Sequence, residues 1–328
     1  MNAKRIEWVD VSKVLVIWLM VLGHVLEKTG LDAVVRNMIY SFHMPFFFFI
    51  SGFLYKNKTS NFWQYTIANA KSLLIPYAFL RLLSCALLMP YIVFVAYDAS
   101  SFVKDFVNGS AAFPAGATWF LVCFFCVKEL YYWIEKLGIT IQWFLIIIMA
   151  YTSYELPYRL FWNIDAALMA MPFFMVGALY KTPIASIMEQ RLLQHKYFLI
   201  LSSSFLLVLI ISSIQGFVTI YEATYGTWPL LFYPCAFLGI SVILMICKPL
   251  NSNPYIVTFS KGTIVVMGLH GALYPYIMLV YRVLARPLLS APLNLLCEIV
   301  LSIVILLLLY YPIIWLQKYL PFFIGNRR

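Results

Sequence analysis

Residues Val11–Leu26 read VSKVLVIWLMVLGHVL, an apolar run that contains one lysine, Lys13, and one histidine, His24. An α-helix needs about 20 apolar residues to cross the hydrocarbon core of a bilayer, and this run with its flanks approaches that length. No small-residue cleavage site follows it, so we expect the segment to remain in the mature chain. The run therefore predicts a first transmembrane helix that carries two ionisable side chains.

The same apolar composition extends over the whole chain. Of its 328 residues, 63% are apolar and 11% are charged, whereas a soluble domain is about 25% charged. This excludes an ordinary soluble enzyme and a disordered or fibrous protein. We expect an all-α polytopic membrane protein, with its helices in one bundle and a single integral-membrane domain over residues 1–328. The ten predicted spans cover residues 11–27, 35–55, 72–96, 117–134, 139–154, 164–180, 197–215, 227–247, 263–282 and 292–316.

The basic residues indicate the orientation, because Lys and Arg accumulate in cytoplasmic segments. With the N-terminus inside, sixteen of them fall in inner segments and six in outer segments, and Arg81 lies within a span, which accounts for all 23. This distribution favours an even number of spans with both termini in the cytoplasm. The net charge is +10, but the cations are scattered along the sequence and form no basic patch. We therefore expect no nucleic-acid partner.

Several chemistries have no motif in this sequence. It contains no P-loop, no GxSxG elbow, no HExxH helix and no Gly-rich dinucleotide turn, which are the common signatures of nucleotide, serine-hydrolase and zinc chemistry. The six cysteines lie in or beside apolar runs, where Cys behaves as a small hydrophobe. We therefore expect no metal site and no ATP-driven reaction.

Charged and histidine side chains inside the spans are the candidates for function, because each charge costs at least ~2.5–3.5 kcal/mol to place there. Lys13 and His24 are eleven residues apart, which is about 1,100° of helical rotation, or about 20° beyond three full turns. Both side chains therefore lie on one helix face, about 16 Å apart along the axis. The full set is Lys13, His24, His43, Arg81, His270 and Glu298.

The pair formed by Lys13 and His24 suits an anionic ligand that enters from the cytoplasm and reacts deeper in the membrane. A lysine amine at the entrance binds phosphate groups, and a deep imidazole transfers protons near neutral pH. Asp10 precedes Lys13 by three residues, so it is placed to pair with the amine and orient it. The structural alternative is that Lys13 snorkels to the interface and His24 bonds a neighbouring backbone group.

The remaining polar groups are consistent with either a functional or a structural role. Pro45 interrupts the helical hydrogen-bond ladder two residues after His43, and Ser51-Gly52 permits close helix packing. His43 and His270 are each equally consistent with a site and with a packed, hydrogen-bonded histidine.

Arg81 cannot lose its charge in a protein. It therefore needs a buried carboxylate, a cluster of carbonyl groups or a bound anion. Glu298 and Asp165 are the acidic candidates to pair with it.

Several stretches of the chain, in the same order, resemble the signatures of the membrane acyltransferase-3 family. That family carries Arg or Lys, ten residues and then His on its first helix, and Lys13 and His24 match this pattern. The branch that the chain most resembles is that of the fucose 4-O-acetylase-like proteins of surface-polysaccharide clusters. The matching stretches are RIEWVDVSK (Arg5–Lys13) with VLGH (Val21–His24), FHMPFF (Phe42–Phe47) with SGF (Ser51–Phe53), TWFL (Thr118–Leu121), PFFMVG (Pro172–Gly177) and the segment Ser260–His270.

The resemblance implies a multi-pass acyltransferase of the inner (plasma) membrane. It implies a cytosolic acyl-CoA donor, usually acetyl-CoA, and transfer to a sugar hydroxyl of a surface polysaccharide or glycolipid. Many members carry Arg-x-x-Arg just before the proline of the third helix. The corresponding stretch here, KSLLIPY (Lys71–Tyr77), has Lys71 alone, and Arg81 is the candidate to replace the second cation.

The residues and the resemblance together suggest the roles at the site. His24 is the general base or a transient acyl carrier, His43 is the second catalytic candidate, and the group that stabilises the oxyanion is His43, Arg81 or His270. The donor is bound by Lys13, Lys71 and Arg81, and the supporting residues are Asp10, His270 and Glu298.

The alternative function is a transporter or exporter of a small anion or a glycolipid, because buried charges also line substrate paths. The sequence shows no internal repeat, which disfavours this alternative. The expected partners are the lipid bilayer, acyl-CoA and a glycan or glycolipid acceptor, and the sequence does not determine the oligomeric state.

Overall fold

The computed structural model describes residues 5–56, 61–90, 99–111, 116–190 and 194–325. Over these ranges the chain is α-helical and contains no β-strand. A membrane favours this outcome, because in lipid every backbone amide and carbonyl must be satisfied within the protein. The fourteen α-helices of these ranges are α1 Glu7–Val25, α2 Gly30–Phe53, α3 Phe62–Leu87, α4 Ala99–Asn108, α5 Trp119–Ile134, α6 Ile139–Glu155, α7 Ile164–Leu179, α8 Lys181–Glu189, α9 Gln194–Gln215, α10 Pro229–Cys247, α11 Pro254–Lys261, α12 Thr263–Val280, α13 Ala291–Leu308 and α14 Tyr310–Tyr319.

Nine helical stretches in the described part of the chain are long and apolar enough to cross a membrane. This confirms the prediction of an all-α polytopic membrane protein. The predicted span 139–154 is a helix, α6, but its 17 residues make it shorter than each of the nine, which have at least 19. The nine comprise α1, α2, α3, α5, α7, α9, α10, α12 and the pair α13–α14, some of them with an adjoining short helical turn.

Helix α3 begins at Phe62, well before the predicted span 72–96. The Asn61 side chain caps this helix, because its Oδ1 accepts a hydrogen bond from the Gln64 backbone N–H at 3.0 Å. The first turns of α3 are rich in polar side chains, which hid its start from a search for apolar runs. Residues 91–96 of the predicted span lie outside the described residues.

Helix α2 continues through Pro45 to Phe53. The proline lacks the N–H that would donate to the helical hydrogen-bond ladder. The helix nevertheless continues for about two more turns beyond it. Membrane helices tolerate such a proline when neighbouring groups compensate. The four phenylalanines that follow, Phe46–Phe49, are all buried, so packing on every side holds this part of α2.

The described residues cluster into two compact units. Each unit is assembled from three separate stretches of the chain. The prediction of one domain over residues 1–328 stays a prediction. The first unit is drawn from Met1–Tyr55, Pro172–Lys261 and Ser290–Ser302, and the second from Lys56–Met171, Gly262–Leu289 and Ile303–Arg328.

In the first unit, α2 packs against α1, α9 and α10, and α11 packs against α1. Glycines allow the closest approach of α2 to the C-terminal part of α7. A Cβ atom on Gly52 would lie 1.9 Å from the Phe174 carbonyl oxygen, and one on Gly177 would lie 2.1 Å from the Phe49 carbonyl oxygen. This confirms the close packing predicted at Ser51-Gly52 and is the usual role of small residues in membrane helices.

In the second unit, α3 is the central helix and packs against α5 and α12. Gly268 of α12 faces the Leu80 side chain of α3, which a Cβ atom on the glycine would meet at 2.8 Å. Ser84 lies one turn further along α3 and donates a hydrogen bond to the Gly268 carbonyl at 2.7 Å. A small residue and a serine therefore join these two helices.

Candidate active site

Helix α1 carries the two residues that define the predicted site. It runs without interruption from Glu7 to Val25, so the side chains of Lys13 and His24 lie on one face, about 16 Å apart along the axis. Lys13 is half-buried, whereas His24 lies in the last turn of the helix and is exposed. The imidazole is therefore reachable from outside the protein.

The lysine end of this face is a hydrogen-bonded network around Ser260 of α11. The Lys13 amine donates to the Ser260 carbonyl at 2.6 Å, and the Ser260 hydroxyl donates to Asp10 Oδ1 at 2.6 Å. Asp10 also forms an ion pair with Arg5, whose Nη2 lies 2.5 Å from Oδ1. Residues that are 250 positions apart in the chain thus hold the amine in one place.

The prediction that Asp10 pairs with Lys13 needs correction. Its ion pair in the described part of the chain is with Arg5, and Ser260 lies between Asp10 and Lys13 as a bridge. The reason is that Ser260 offers the carboxylate a hydroxyl and the amine a carbonyl, so both are satisfied without direct contact. Two cations and one carboxylate leave the network with a net positive charge, which suits an anionic ligand.

The imidazole end of the face contacts a tyrosine of α2. The Tyr40 ring lies 6.2 Å from the His24 ring, centroid to centroid, and 4.8 Å from the His43 ring, both in edge-to-face geometry. Gly23 precedes His24, and a Cβ atom there would lie 3.0 Å from Tyr40 Cε2. The structure thus brings His24 and His43 to the same tyrosine.

His43 is buried and has a defined tautomer. Its Nδ1 lies 2.9 Å from the Ile39 carbonyl oxygen one turn earlier in α2. A carbonyl only accepts hydrogen bonds, so Nδ1 must carry the hydrogen and Nε2 holds the lone pair. His43 therefore has the structural role of a bonded core histidine and still presents one basic nitrogen.

Glu298 belongs to the same unit and is fully buried in α13. One turn further along that helix, Ser302 Oγ accepts a hydrogen bond from Trp18 Nε1 of α1 at 3.0 Å. Leu295 and Ile299 pack against the buried cluster that Leu22, Leu26 and Ile39 form. The carboxyl group therefore lies on a helix that contacts α1 through the Trp18–Ser302 hydrogen bond.

Arg81 lies in the second unit and is fully buried. Its Nη1 donates to the Ser110 carbonyl at 2.6 Å, in the segment that follows α4. Tyr77, one turn earlier in α3, donates to the Phe106 carbonyl, also at 2.6 Å. Of the acidic residues considered as partners for Arg81, Asp165 forms its ion pair with Arg159 at 3.1 Å.

Lys71 and His270 also belong to the second unit. Lys71 is exposed at one end of an apolar groove of about 560 Å³ that runs along α3, past Leu74 and Phe79. His270 is buried in α12, where its Nδ1 lies 2.9 Å from the Val266 carbonyl oxygen. The geometry of His270 is that of a histidine bonded within its own helix.

Three residues of the site were not identified from the sequence. Ser260 reaches the lysine network only through tertiary packing, whereas Arg5 stands five residues before Asp10, just ahead of the helix that carries it. Tyr40 precedes His43 by three residues, so helical spacing alone places it beside His43. Its contact with His24 has no such signal.

The stretches that carried the family resemblance also have physical roles as packing elements. Thr118–Leu121 is buried at the start of α5. Gly177 in the stretch Pro172–Gly177 allows the close crossing with α2. In the described part of the chain, no group of three or more His, Cys, Asp or Glu residues is arranged to hold a metal ion.

A family model described as an acyltransferase domain matches residues 6–315. Comparison with curated proteins and with solved structures finds no match. The matched range includes both ends of the α1 face and nearly all the helices described above. The chain therefore belongs to the acyltransferase-3 family and is a membrane acyltransferase.

Proposed function

We propose that the protein moves an acyl group, most simply acetyl, from cytosolic acyl-CoA to a sugar hydroxyl of a surface polysaccharide or glycolipid. One observation supports this above the others: a single helix presents a cationic network at Lys13 and an imidazole at His24, about 16 Å apart on one face. A CoA donor has phosphates at one end and a thioester at the end of a long flexible arm. The spacing of the two groups suits such a molecule.

The proposed topology places both termini in the cytoplasm of a cell whose inner membrane holds the protein. Counting α6 as a span makes the number even, in agreement with the distribution of basic residues. Lys13 then lies toward the cytoplasm and His24 toward the opposite face. The donor enters at Lys13, and the acceptor meets it at His24.

In the proposed reaction, His24 takes the proton of the acceptor hydroxyl as that oxygen attacks the thioester carbonyl carbon. The C–S bond then breaks, the acyl group stays on the acceptor oxygen, and the CoA sulfur leaves and takes up the proton. The variant in which His24 first accepts the acyl group has the same overall balance. His43 donates its Nδ1–H to the Ile39 carbonyl, so its Nε2 is a hydrogen-bond acceptor and a second basic nitrogen beside the Tyr40 ring. In this tautomer it has no hydrogen to donate to the oxyanion, which corrects the role expected of it from the sequence.

We assign the cations different tasks. Lys13 binds the donor phosphates, since a lysine amine is a compact point charge. The donor-binding role expected of Lys71, which belongs to the second unit, stays a prediction. Arg81 is buried and bonded to the Ser110 carbonyl, which supports a role in holding that segment in place. Asp10 supports Lys13 through Ser260.

The test is transfer of radiolabelled acetyl from acetyl-CoA to a glycan extract of the same cells, by purified protein in lipid nanodiscs. We expect His24→Ala to abolish transfer, with a loss of at least about 100-fold. His195→Ala is the matched control, because His195 is exposed and lies outside the first unit's histidine pair. Lys13→Met should raise the KM for acetyl-CoA more than it lowers kcat.

Two results would contradict the proposal. Undiminished transfer by well-folded His24→Ala would remove the role of this histidine. Movement of a labelled anion or glycolipid across the membrane without release of CoA would favour the transporter alternative.

A further inference from the structure

Tyr40 makes contacts that no role assigned so far explains. Its ring meets both imidazoles edge to face, at 6.2 Å from His24 and 4.8 Å from His43. The two histidines come from different helices, and the Tyr40 ring contacts both. Edge-to-face pairs restrict the rotation of the rings that form them.

The α1 side of this contact depends on a missing side chain. Gly23 stands directly before His24, and a Cβ atom at that position would lie 3.0 Å from Tyr40 Cε2 and 3.4 Å from Ile39 Cγ2. The first of these distances is shorter than an ordinary side-chain contact, and the second lies at its lower limit. Glycine therefore lets the tyrosine ring approach the backbone of α1 next to the histidine.

The opposite side of Tyr40 is held by a cation and a second aromatic ring. The Arg36 guanidinium carbon lies 4.3 Å from the centroid of the Tyr40 ring and 4.3 Å from that of Phe217. The two rings are 5.1 Å apart, so the three groups are in mutual contact. The cation–π contacts and the ring contact together restrain the tyrosine ring.

Phe217 belongs to a short connection, Gly216–Trp228, between α9 and α10. This connection is ordered by paired backbone bonds between Thr219 and Thr224 and by a hydrogen bond from Gln215 Nε2 to the Tyr225 carbonyl at 2.8 Å. Phe217 is therefore presented to Arg36 by a fixed loop. In the proposed topology this loop lies on the side where the acceptor arrives.

We propose that Tyr40 is a positioning residue that sets the orientation of the His24 and His43 rings for acyl transfer, and that Arg36 and Phe217 hold Tyr40 in place. The proposal rests on the proposed function. His24 is exposed in the last turn of α1, and an exposed side chain changes rotamer readily unless neighbouring groups restrict it. Misplacement of a reacting group by about 1 Å can cost about 100-fold in rate. The Tyr40 ring restricts the His24 ring through the edge-to-face contact, at the opposite end of the α1 face from Lys13.

The experiment compares Tyr40→Leu, which removes the ring, with Tyr40→Phe, which keeps the ring and removes the hydroxyl. Tyr158→Leu is the matched control, because Tyr158 is an exposed tyrosine of the second unit. Purified variants in nanodiscs are assayed for acetyl transfer with acetyl-CoA as the varied substrate. We expect Tyr40→Leu to lower kcat by about 30- to 100-fold with the KM for acetyl-CoA changed by less than about twofold. Tyr40→Phe should stay within about threefold of the wild type.

Specific results overturn the proposal. A folded Tyr40→Leu protein with a kcat within twofold of the wild type means that the ring positions nothing. A loss that appears in KM instead of kcat assigns Tyr40 to donor binding. If Tyr40→Leu does not fold, Phe217→Leu provides the second test. It should lower kcat by at least about fivefold at unchanged KM, and a wild-type kcat there contradicts the proposal.

The failure of this proposal is distinguishable from failure of the proposed function. If the wild-type protein transfers no acyl group from acetyl-CoA, the proposed function is refuted. If the wild type is active, His24→Ala is inactive and Tyr40→Leu is fully active, only the positioning role of Tyr40 is refuted.

Discussion

The crossing of α2 with α7 permits a quantitative prediction, because two glycines face each other's backbone there. A Cβ atom on Gly52 would lie 1.9 Å from the Phe174 carbonyl oxygen, whereas ordinary contact begins at 3.4 Å. Gly52→Ala therefore forces the two helices apart by about 1.5 Å. Gly177→Ala requires about 1.3 Å, since its Cβ atom would lie 2.1 Å from the Phe49 carbonyl oxygen.

Overpacking of this kind costs about 1–3 kcal/mol of stability. We expect each single variant to lose that amount. The double variant Gly52→Ala/Gly177→Ala should lose clearly less than the sum, because once one methyl group has separated the helices, the second has room.

The assay is reversible unfolding by SDS titration of purified protein in lipid bicelles. Gly138→Ala is the matched control: Gly138 has no atom within 4 Å of an added Cβ, and its φ of −61° is open to alanine. The reasoning is refuted if Gly52→Ala is as stable as Gly138→Ala. Full additivity in the double variant would refute the claim that both glycines serve a single crossing.

Two further predictions concern Arg81 and the topology. Arg81→Met should lower the free energy of unfolding by about 1–3 kcal/mol, because the Ser110 carbonyl loses its charged donor. The KM for acetyl-CoA should stay near the wild-type value. A raised KM at unchanged stability would instead make Arg81 a donor-binding residue. In spheroplasts, a membrane-impermeant maleimide should label Glu222→Cys directly and Glu189→Cys only after permeabilisation. Both positions are exposed, and the proposed topology puts them on opposite sides of the membrane. The reverse labelling pattern would show the opposite orientation.

Much of the fold could be predicted from the sequence because lipid leaves few choices. Runs of apolar residues long enough to span a bilayer must be helical, and the described helices follow those runs. The main error occurs where polarity hides a helix, as at the start of α3, whereas the span predicted through Pro45 is a continuous helix. Local glycine patterns were also informative, since Ser51-Gly52 is a close-packing site in the structure.

For the site, the relations that follow from helical geometry were predictable from the chain. Lys13 and His24 share a face because eleven residues make about three turns, and Tyr40 lies beside His43 because three residues make almost one turn. Which distant groups contact these residues depends on how the helices pack. Ser260 reaches Lys13 across 247 positions, and Tyr40 of one helix reaches His24 of another. The physical reason is that periodicity sets the faces of each helix, whereas the rotation and depth of one helix against its neighbours depend on the packing of many side chains at once.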